Sequence, residues 1–207
     1  MTFADRHDAA ERLAERLAYL RGERPLVLAI PRGAVPMGRI IADRLGGDLD
    51  VVLVRKLRSP FDTEFAIGAI DESGDFELSA DAAYAGGSRD YTEREKAEQL
   101  ARIRERRAAW SRLRPPIDPQ GRVVVVVDDG LATGATMVAA MRFVRRRDPR
   151  RLVCAVPVAS TTGIQNVKGI ADEVVVVDVP EYFGAVSQFY RSFSQVEDEE
   201  VAQLLAA

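Results

Sequence analysis

The chain reads as an α/β protein built on an open parallel sheet flanked by helices, and three observations predict it. Residues 123–127 are five consecutive valines, a β-branched run without polar alternation that fits a strand buried on both faces. A second apolar run, PLVLAIP at 25–31, likewise ends in a short Gly-bearing turn ahead of a helical segment. From residue 122 onward strand-like and helix-like stretches alternate, which implies parallel strands joined by right-handed crossovers.

Taken in order, residues 4–21 place Leu13, Leu17 and Leu20 at helical spacing ahead of Gly22, predicting an N-terminal amphipathic helix. The strand 25–31 leads through PRGAVP into a helix over 37–47. LDVVLVRKL predicts one continuous second strand over 49–57. The apolar stretch 64–70 and DFELS at 75–79 read as a hairpin, and 80–92 as a loop. Residues 91–113 mix Glu and Arg at i, i+3 and i+4 spacing and stop at Pro115 and Pro116, predicting a long helix. Strand 122–128, helix 134–147, strand 151–158, helix 161–171 and strand 173–179 complete the pattern.

At 207 residues and 47% apolar composition, the chain can bury one sizeable core. No apolar stretch approaches the ~20 residues that span a bilayer. MTFADRHDAAER lacks the plan of a secretory signal, so a cytoplasmic location without membrane association is expected. The lone cysteine, Cys154, lies in LVCAVPVA and reads as a packed small hydrophobe; the count excludes a disulfide or a cysteine-based zinc site. A formal charge of −3 argues against bulk nucleic-acid binding, and the basic clusters at 102–114 and 141–151 read as solvated faces. The single histidine, His7, stands far from every motif, which argues against histidine general-base and zinc-peptidase chemistry.

The most informative string is VVVVVDDGLATGAT at 123–136. Its abrupt end places Asp128 and Asp129 at the carboxyl edge of the sheet, where open α/β sheets bind ligands. The residues that follow open a helix, whose free N–H groups and positive dipole end suit a phosphate. A sugar phosphate presents both needs at once: vicinal hydroxyls that donate to carboxylates, and a dianion close by. The acids would repel a phosphate and so face hydroxyls, while Thr133, Gly134, Ala135 and Thr136 offer amide and hydroxyl donors without bulk. A plain strand-to-helix turn with a threonine cap is the alternative. The turn PRGAVPMG at 31–38 also joins a buried strand to a helix, with Gly33 permitting close backbone approach. It is not a P-loop, since the Lys and the metal-binding hydroxyl are missing and Pro36 removes a donor.

At these residues the chain resembles the type I phosphoribosyltransferases. VVVVVDDGLATGAT looks like their PRPP-binding motif, which implies Asp128 and Asp129 on the ribose 2′ and 3′ hydroxyls and Ala132, Thr133, Gly134, Ala135 and Thr136 around the 5′-phosphate. PRGAVP is similar to the family's pyrophosphate loop, with Arg32 and the Gly33 and Ala34 amides facing the diphosphate. Arg55 and Lys56, at the end of the expected second strand, would balance the charge of that leaving group. LRSPFDTEFAIGAIDESG stands in the place of the family's mobile loop, where Glu64 is a candidate acid or base, a solvated strand residue being the other reading. VPEYFGAVSQFYRSF resembles the family's hood, so Tyr182, Phe183 or Tyr190 would touch the acceptor, with core packing as the alternative. The division that follows is a core over 1–180 and a hood over 181–207.

The resemblance implies displacement of pyrophosphate from C1 of PRPP by a nitrogenous base. Mg²⁺ would ride on the substrate's oxygens, with no metal site of the protein's own, and a homodimer is expected. Three positions depart from the family's pattern. Ala132 replaces the acid that many 6-oxopurine enzymes carry, which puts hypoxanthine and guanine in doubt; Gly130 replaces a larger apolar residue, and Ala135 a common glycine. A catalytically weak PRPP-sensing regulatory protein, binding RNA through its Arg-rich helices, is the alternative. PRPP synthetase shares the motif but needs a much longer chain, and competence proteins of related fold carry zinc cysteines that this chain lacks.

Overall fold

The computed structural model describes residues 2–62, 65–111 and 115–206 of the 207-residue chain. Its elements are α1 (Arg6–Arg16), β1 (Leu26–Ala29), α2 (Val35–Leu45), β2 (Asp48–Val51), β3 (Val54–Arg58), β4 (Ala66–Asp71), β5 (Phe76–Leu78), α3 (Arg89–Ser111), β6 (Val123–Val127), α4 (Ala135–Arg145), β7 (Arg151–Val158), α5 (Thr161–Val167), β8 (Glu173–Asp178) and α6 (Asp198–Ala206). Five strands form one parallel sheet in the order β2, β1, β6, β7, β8. The chain leaves β1 towards β2 and later returns to its other side as β6. The order of strands therefore reverses between β1 and β6, where a crevice opens at the carboxyl edge. Ala29 pairs with Val127, so the two strands end level and the loops after them emerge side by side.

The unalternated valines follow from burial on two faces. Val125 and Val127 pack with Val27, Leu13, Met37 and Ile41 beneath α1 and α2. Val124 and Val126 pack with Leu28, Cys154, Met137 and Met141 beneath α4. Branched side chains on both faces suit a strand covered by helices above and below. The edge strand β8 is half-buried throughout. The predicted N-terminal helix is shorter than its leucine spacing implies: α1 starts from an Asp5 cap and a 3-10 turn over Ala18–Leu20 carries Leu20 into the core. Among the described residues no helix is long and apolar enough to cross a membrane.

The expected strand over 49–57 is two strands in two sheets. Val52 makes the last bond to the parallel sheet, N to the Ala29 carbonyl at 3.1 Å. After buried Val52 and Leu53 the chain turns away as β3, which pairs antiparallel with β4, and β4 with β5. LDVVLVRKL contains no Gly or Pro to mark this break, and β-propensity does not distinguish one sheet from another. Arg55 and Lys56 consequently sit on this ribbon rather than at the parallel sheet's edge. The ribbon is anchored by α3. Glu95 accepts from the Arg58 backbone N and Nε, both at 3.1 Å, and from Gln99 at 3.0 Å, while the Tyr91 hydroxyl donates to the Arg58 carbonyl at 2.9 Å.

The chain's two ends clasp each other. Phe3 N donates to the Phe189 carbonyl at 2.8 Å, Arg191 N to that of Phe3 at 2.9 Å and Ser192 N to that of Ala4 at 3.0 Å. A further helix, α6, absent from the sequence reading, follows with three acids in its first turn, which suits the positive end of its dipole. It buries Val201 and Leu205 in the core that α2 shares.

Candidate active site

The loop leaving β6 brings the two acids to the crevice. Asp128 Oδ1 accepts from the Asp129 backbone N at 2.9 Å. Asp129 Oδ2 accepts from Arg6 Nη2 at 2.9 Å and Nε at 3.2 Å. Arg6 comes from α1, lies with its guanidinium 3.8 Å from the centre of the Phe193 ring, and donates to the Ser194 carbonyl at 2.6 Å. Burial pushes both carboxyls above the usual range; the Asp129 charge raises Asp128 further, and Arg6 draws both back. Beneath them the Cys154 thiol is pushed up to about 12, by burial first and by Asp128 second, so it stays neutral and packs as predicted.

Two glycines make this closeness possible. A Cβ on Gly33 would lie 2.5 Å from Asp129 Oδ2 and 3.1 Å from Arg6 Nη2, so only glycine lets the 31–34 turn close on the acids. A Cβ on Gly130 would lie 2.6 Å from Val186. The space beside Gly130 is thus filled from the C-terminal segment.

Beyond the acids, Leu131 is held by β7, its N donating to the Val158 carbonyl at 2.9 Å, and Asn166 fixes the Thr133 carbonyl at 2.9 Å. Gly134, at φ 80°, turns the chain into α4 with no side-chain cap. The first amides of an uncapped helix lack intrahelical acceptors and suit an anion. Ala132, Thr133 and Ala135 are exposed and Thr136 half-buried around this terminus.

Opposite lies positive charge. A cavity of about 290 Å³ between Pro31, Thr136, β3 and α3 is lined by Arg55, Lys56, Arg58, Arg102 and Arg106. Arg58 pairs with Glu95, Arg102 with Glu98, and Arg106 lies 3.9 Å from Asp198. Among the described residues Arg55 hydrogen-bonds the neutral Gln99, Nε to Oε1 at 2.6 Å, and burial, then the charges of Arg106, Arg102 and Arg58, lower its basicity against the pull of Glu95. Arg55, Lys56 and Thr136 also line a larger cavity of about 670 Å³ between the ribbon and α4. Arg32 points elsewhere: its Nη1 lies 3.4 Å from Glu197 and 3.7 Å from Asp198, at the start of α6. Ala34 is buried where α2 begins.

Of the three aromatic candidates, Tyr190 is a core residue. Its ring packs on Phe3 and Phe193 and its hydroxyl donates to the Asp129 carbonyl at 2.5 Å, so it braces the acid loop. Tyr182 is 83% exposed, and Phe183 packs against Phe189 with ring centres 5.0 Å apart. Glu64 lies outside the described residues. The sequence does not single out Arg6, Arg102 or Arg106: Arg6 sits in an ordinary polar first turn, and Arg102 and Arg106, four apart on α3, lie in a cluster that reads as a solvated face.

Residues 4–193 match the phosphoribosyl transferase domain family. Two Mycobacterium tuberculosis proteins, from strains CDC 1551 and H37Rv and each named "Putative phosphoribosyl transferase", are 42% identical over 98% of this chain. The alignment takes up 46% of those relatives, so the chain spans about half their length. The crystal structure of TT1426 from Thermus thermophilus is similar with a TM-score of 0.86 and 47% identity, covering 100% of this chain and 98% of that one. A hypothetical protein from Neisseria gonorrhoeae shares the fold at a TM-score of 0.52 and 15% identity, covering 99% of this chain and 93% of that one.

Proposed function

This chain belongs to the phosphoribosyl transferase domain family, and from that premise we propose that it transfers the 5-phosphoribosyl group of Mg-PRPP to a nitrogenous acceptor with release of pyrophosphate. One juxtaposition carries the reading: paired carboxylates and an uncapped helix start leave the same central strand, opposite a cavity lined by five cations. Asp128 and Asp129 accept from the ribose hydroxyls, and the 133–136 turn holds the 5′-phosphate through its amides and hydroxyls. Lys56 and Arg55, with Arg102 and Arg106 from α3, face the diphosphate, whose charge grows as its bond to C1 breaks. Mg²⁺ carried on the substrate's oxygens would neutralise part of that charge; among the described residues no three His, Cys, Asp or Glu side chains are grouped to hold a metal. Ribose and phosphate are thereby held from one side, with the β3–β5 ribbon across the larger cavity from Thr136.

Ala132 offers no carboxyl to a base proton, which favours acceptors other than 6-oxopurines. Tyr182 and Phe183 are the candidate acceptor contacts. A homodimer and a cytoplasmic location belong to the same proposal. The RNA-binding reading finds less support, because five of the six arginines of the 141–151 stretch pair with acids: Arg142 with Glu77, Arg145 with Asp172, Arg146 with Asp71, Arg150 with Glu23 and Arg151 with Glu173. The deciding experiment measures pyrophosphate release from Mg-PRPP against a panel of nucleobases and related nitrogen heterocycles. Release stimulated by one acceptor is the expected outcome; PRPP binding with no stimulation by any acceptor would replace the enzyme with a sensor.

A further inference from the structure

We infer that Arg6 is a positioning residue: by clamping one oxygen of Asp129 it leaves Asp129 Oδ1 and Asp128 Oδ2 as two open acceptors for the vicinal ribose hydroxyls of PRPP. The inference rests on the reading of the two acids as ribose acceptors. An arginine Nε and Nη2 usually meet the two oxygens of a carboxylate side-on. Here both meet Oδ2 alone, at 3.2 and 2.9 Å. The Asp129 backbone N donates to Asp128 Oδ1 at 2.9 Å and also lies close enough to its own carboxyl to lower it, and among the other described residues none is recorded donating to Asp129 Oδ1 or Asp128 Oδ2. Two vicinal hydroxyls therefore find two free acceptors.

The clamp is itself held on every side. Phe193 stacks under the guanidinium, Ser194 takes its third nitrogen, and only 13% of the Arg6 side chain and 18% of that of Asp129 are exposed. Tyr190 fixes the Asp129 carbonyl, and Gly33 leaves the room in which clamp and carboxylate meet. An exposed arginine loses much of its hold to solvent and salt; this one is sheltered from both.

Charge explains why a cation is required. Two adjacent carboxyls in a sheltered crevice tend to share a proton, and that proton would occupy an acceptor. Among the described residues the titratable groups facing the pair are Arg6 from α1, Tyr190 from the C-terminal segment and Cys154 from β7. Burial keeps the tyrosine and the thiol neutral, so Arg6 is the counter-charge.

The test measures Mg-PRPP affinity by calorimetry between pH 5.5 and 9 for the full chain and for Arg6→Gln, Arg6→Lys and Asp129→Asn. Arg6→Gln should lose about tenfold or more at pH 7, roughly one charge-assisted hydrogen bond. That loss should shrink as pH rises, because the acids then ionise without help. Arg6→Lys, charged but lacking the fork, should keep the wild-type pH profile at reduced affinity. An Arg6→Gln loss equal at every pH means a merely structural role and overturns the inference. So does wild-type affinity in Arg6→Gln or, should that variant not fold, in Arg6→Lys. If Asp129→Asn binds PRPP as wild type does, the ribose assignment fails first, whatever Arg6 does.

Discussion

Asp128 sits where ionisation is costly, with burial and the charge of Asp129 both raising its carboxyl. A carboxyl raised in the fold destabilises the protein at pH values where it must ionise, and no longer does so below the ordinary Asp value of about 3.9. Asp128→Asn should therefore raise the melting temperature of the ligand-free protein at pH 7, and the gain should vanish near pH 3; a lower melting temperature at pH 7 would contradict the strain. Function should change in the opposite direction. Asp128→Asn with Asp129→Asn is expected to weaken PRPP binding by at least ~2 kcal/mol, since hydrogen bonds to charged groups are worth roughly 1.5–3 kcal/mol each, as calorimetry on the folded double variant would read. Gly33→Ala should cost about 1–3 kcal/mol of stability by overpacking, because its Cβ would meet Asp129 Oδ2 at 2.5 Å; denaturant unfolding measures that loss.

Among the elements, α3 and the β3–β5 ribbon change role most between sequence and structure. Read alone, 91–113 is a charged surface helix and 49–57 a single strand. In the fold, α3 grips the ribbon through Glu95 and Gln99 and lends Arg102 and Arg106 to the cavity that Lys56 enters. If those cations meet a diphosphate that gains charge as it leaves, they act more strongly on the transition state than on bound PRPP. Lys56→Ala and Arg106→Ala should each lower the rate of pyrophosphate release about tenfold or more, with a smaller loss of PRPP affinity. Steady-state rates set beside equilibrium binding make the comparison, and equal losses in both would leave these residues as binding groups alone. The parallel strands were legible because a run of valines buried on two faces leaves an unbroken apolar signature. Which sheet Val54–Arg58 would join left none, since a ribbon strand and a sheet strand draw on the same residue types.

At the scale of the whole molecule, the two chain ends form a collar around the acid loop: Phe3 pairs beside Tyr190, Arg6 lies on Phe193, and Val186 fills the space above Gly130. A chain ending at residue 184 should melt at a lower temperature, having lost the cover of Phe3. It should also gain less from added PRPP, having lost the seat of Arg6; thermal melts with and without Mg-PRPP read both effects. Neighbours along the chain suffice for the parallel layer, the place of Asp128 and Asp129 at its carboxyl edge and the small-residue turn into α4, because each is a local pattern of residue types. Tertiary structure alone decided that Arg6 would clamp Asp129 from 123 positions away, that Tyr190 would brace the loop from 61 positions away, and that α3 would bring arginines to the cavity. Such contacts depend on how helices and chain ends pack over the sheet, and packing between distant segments imposes no period or spacing on the sequence that carries it.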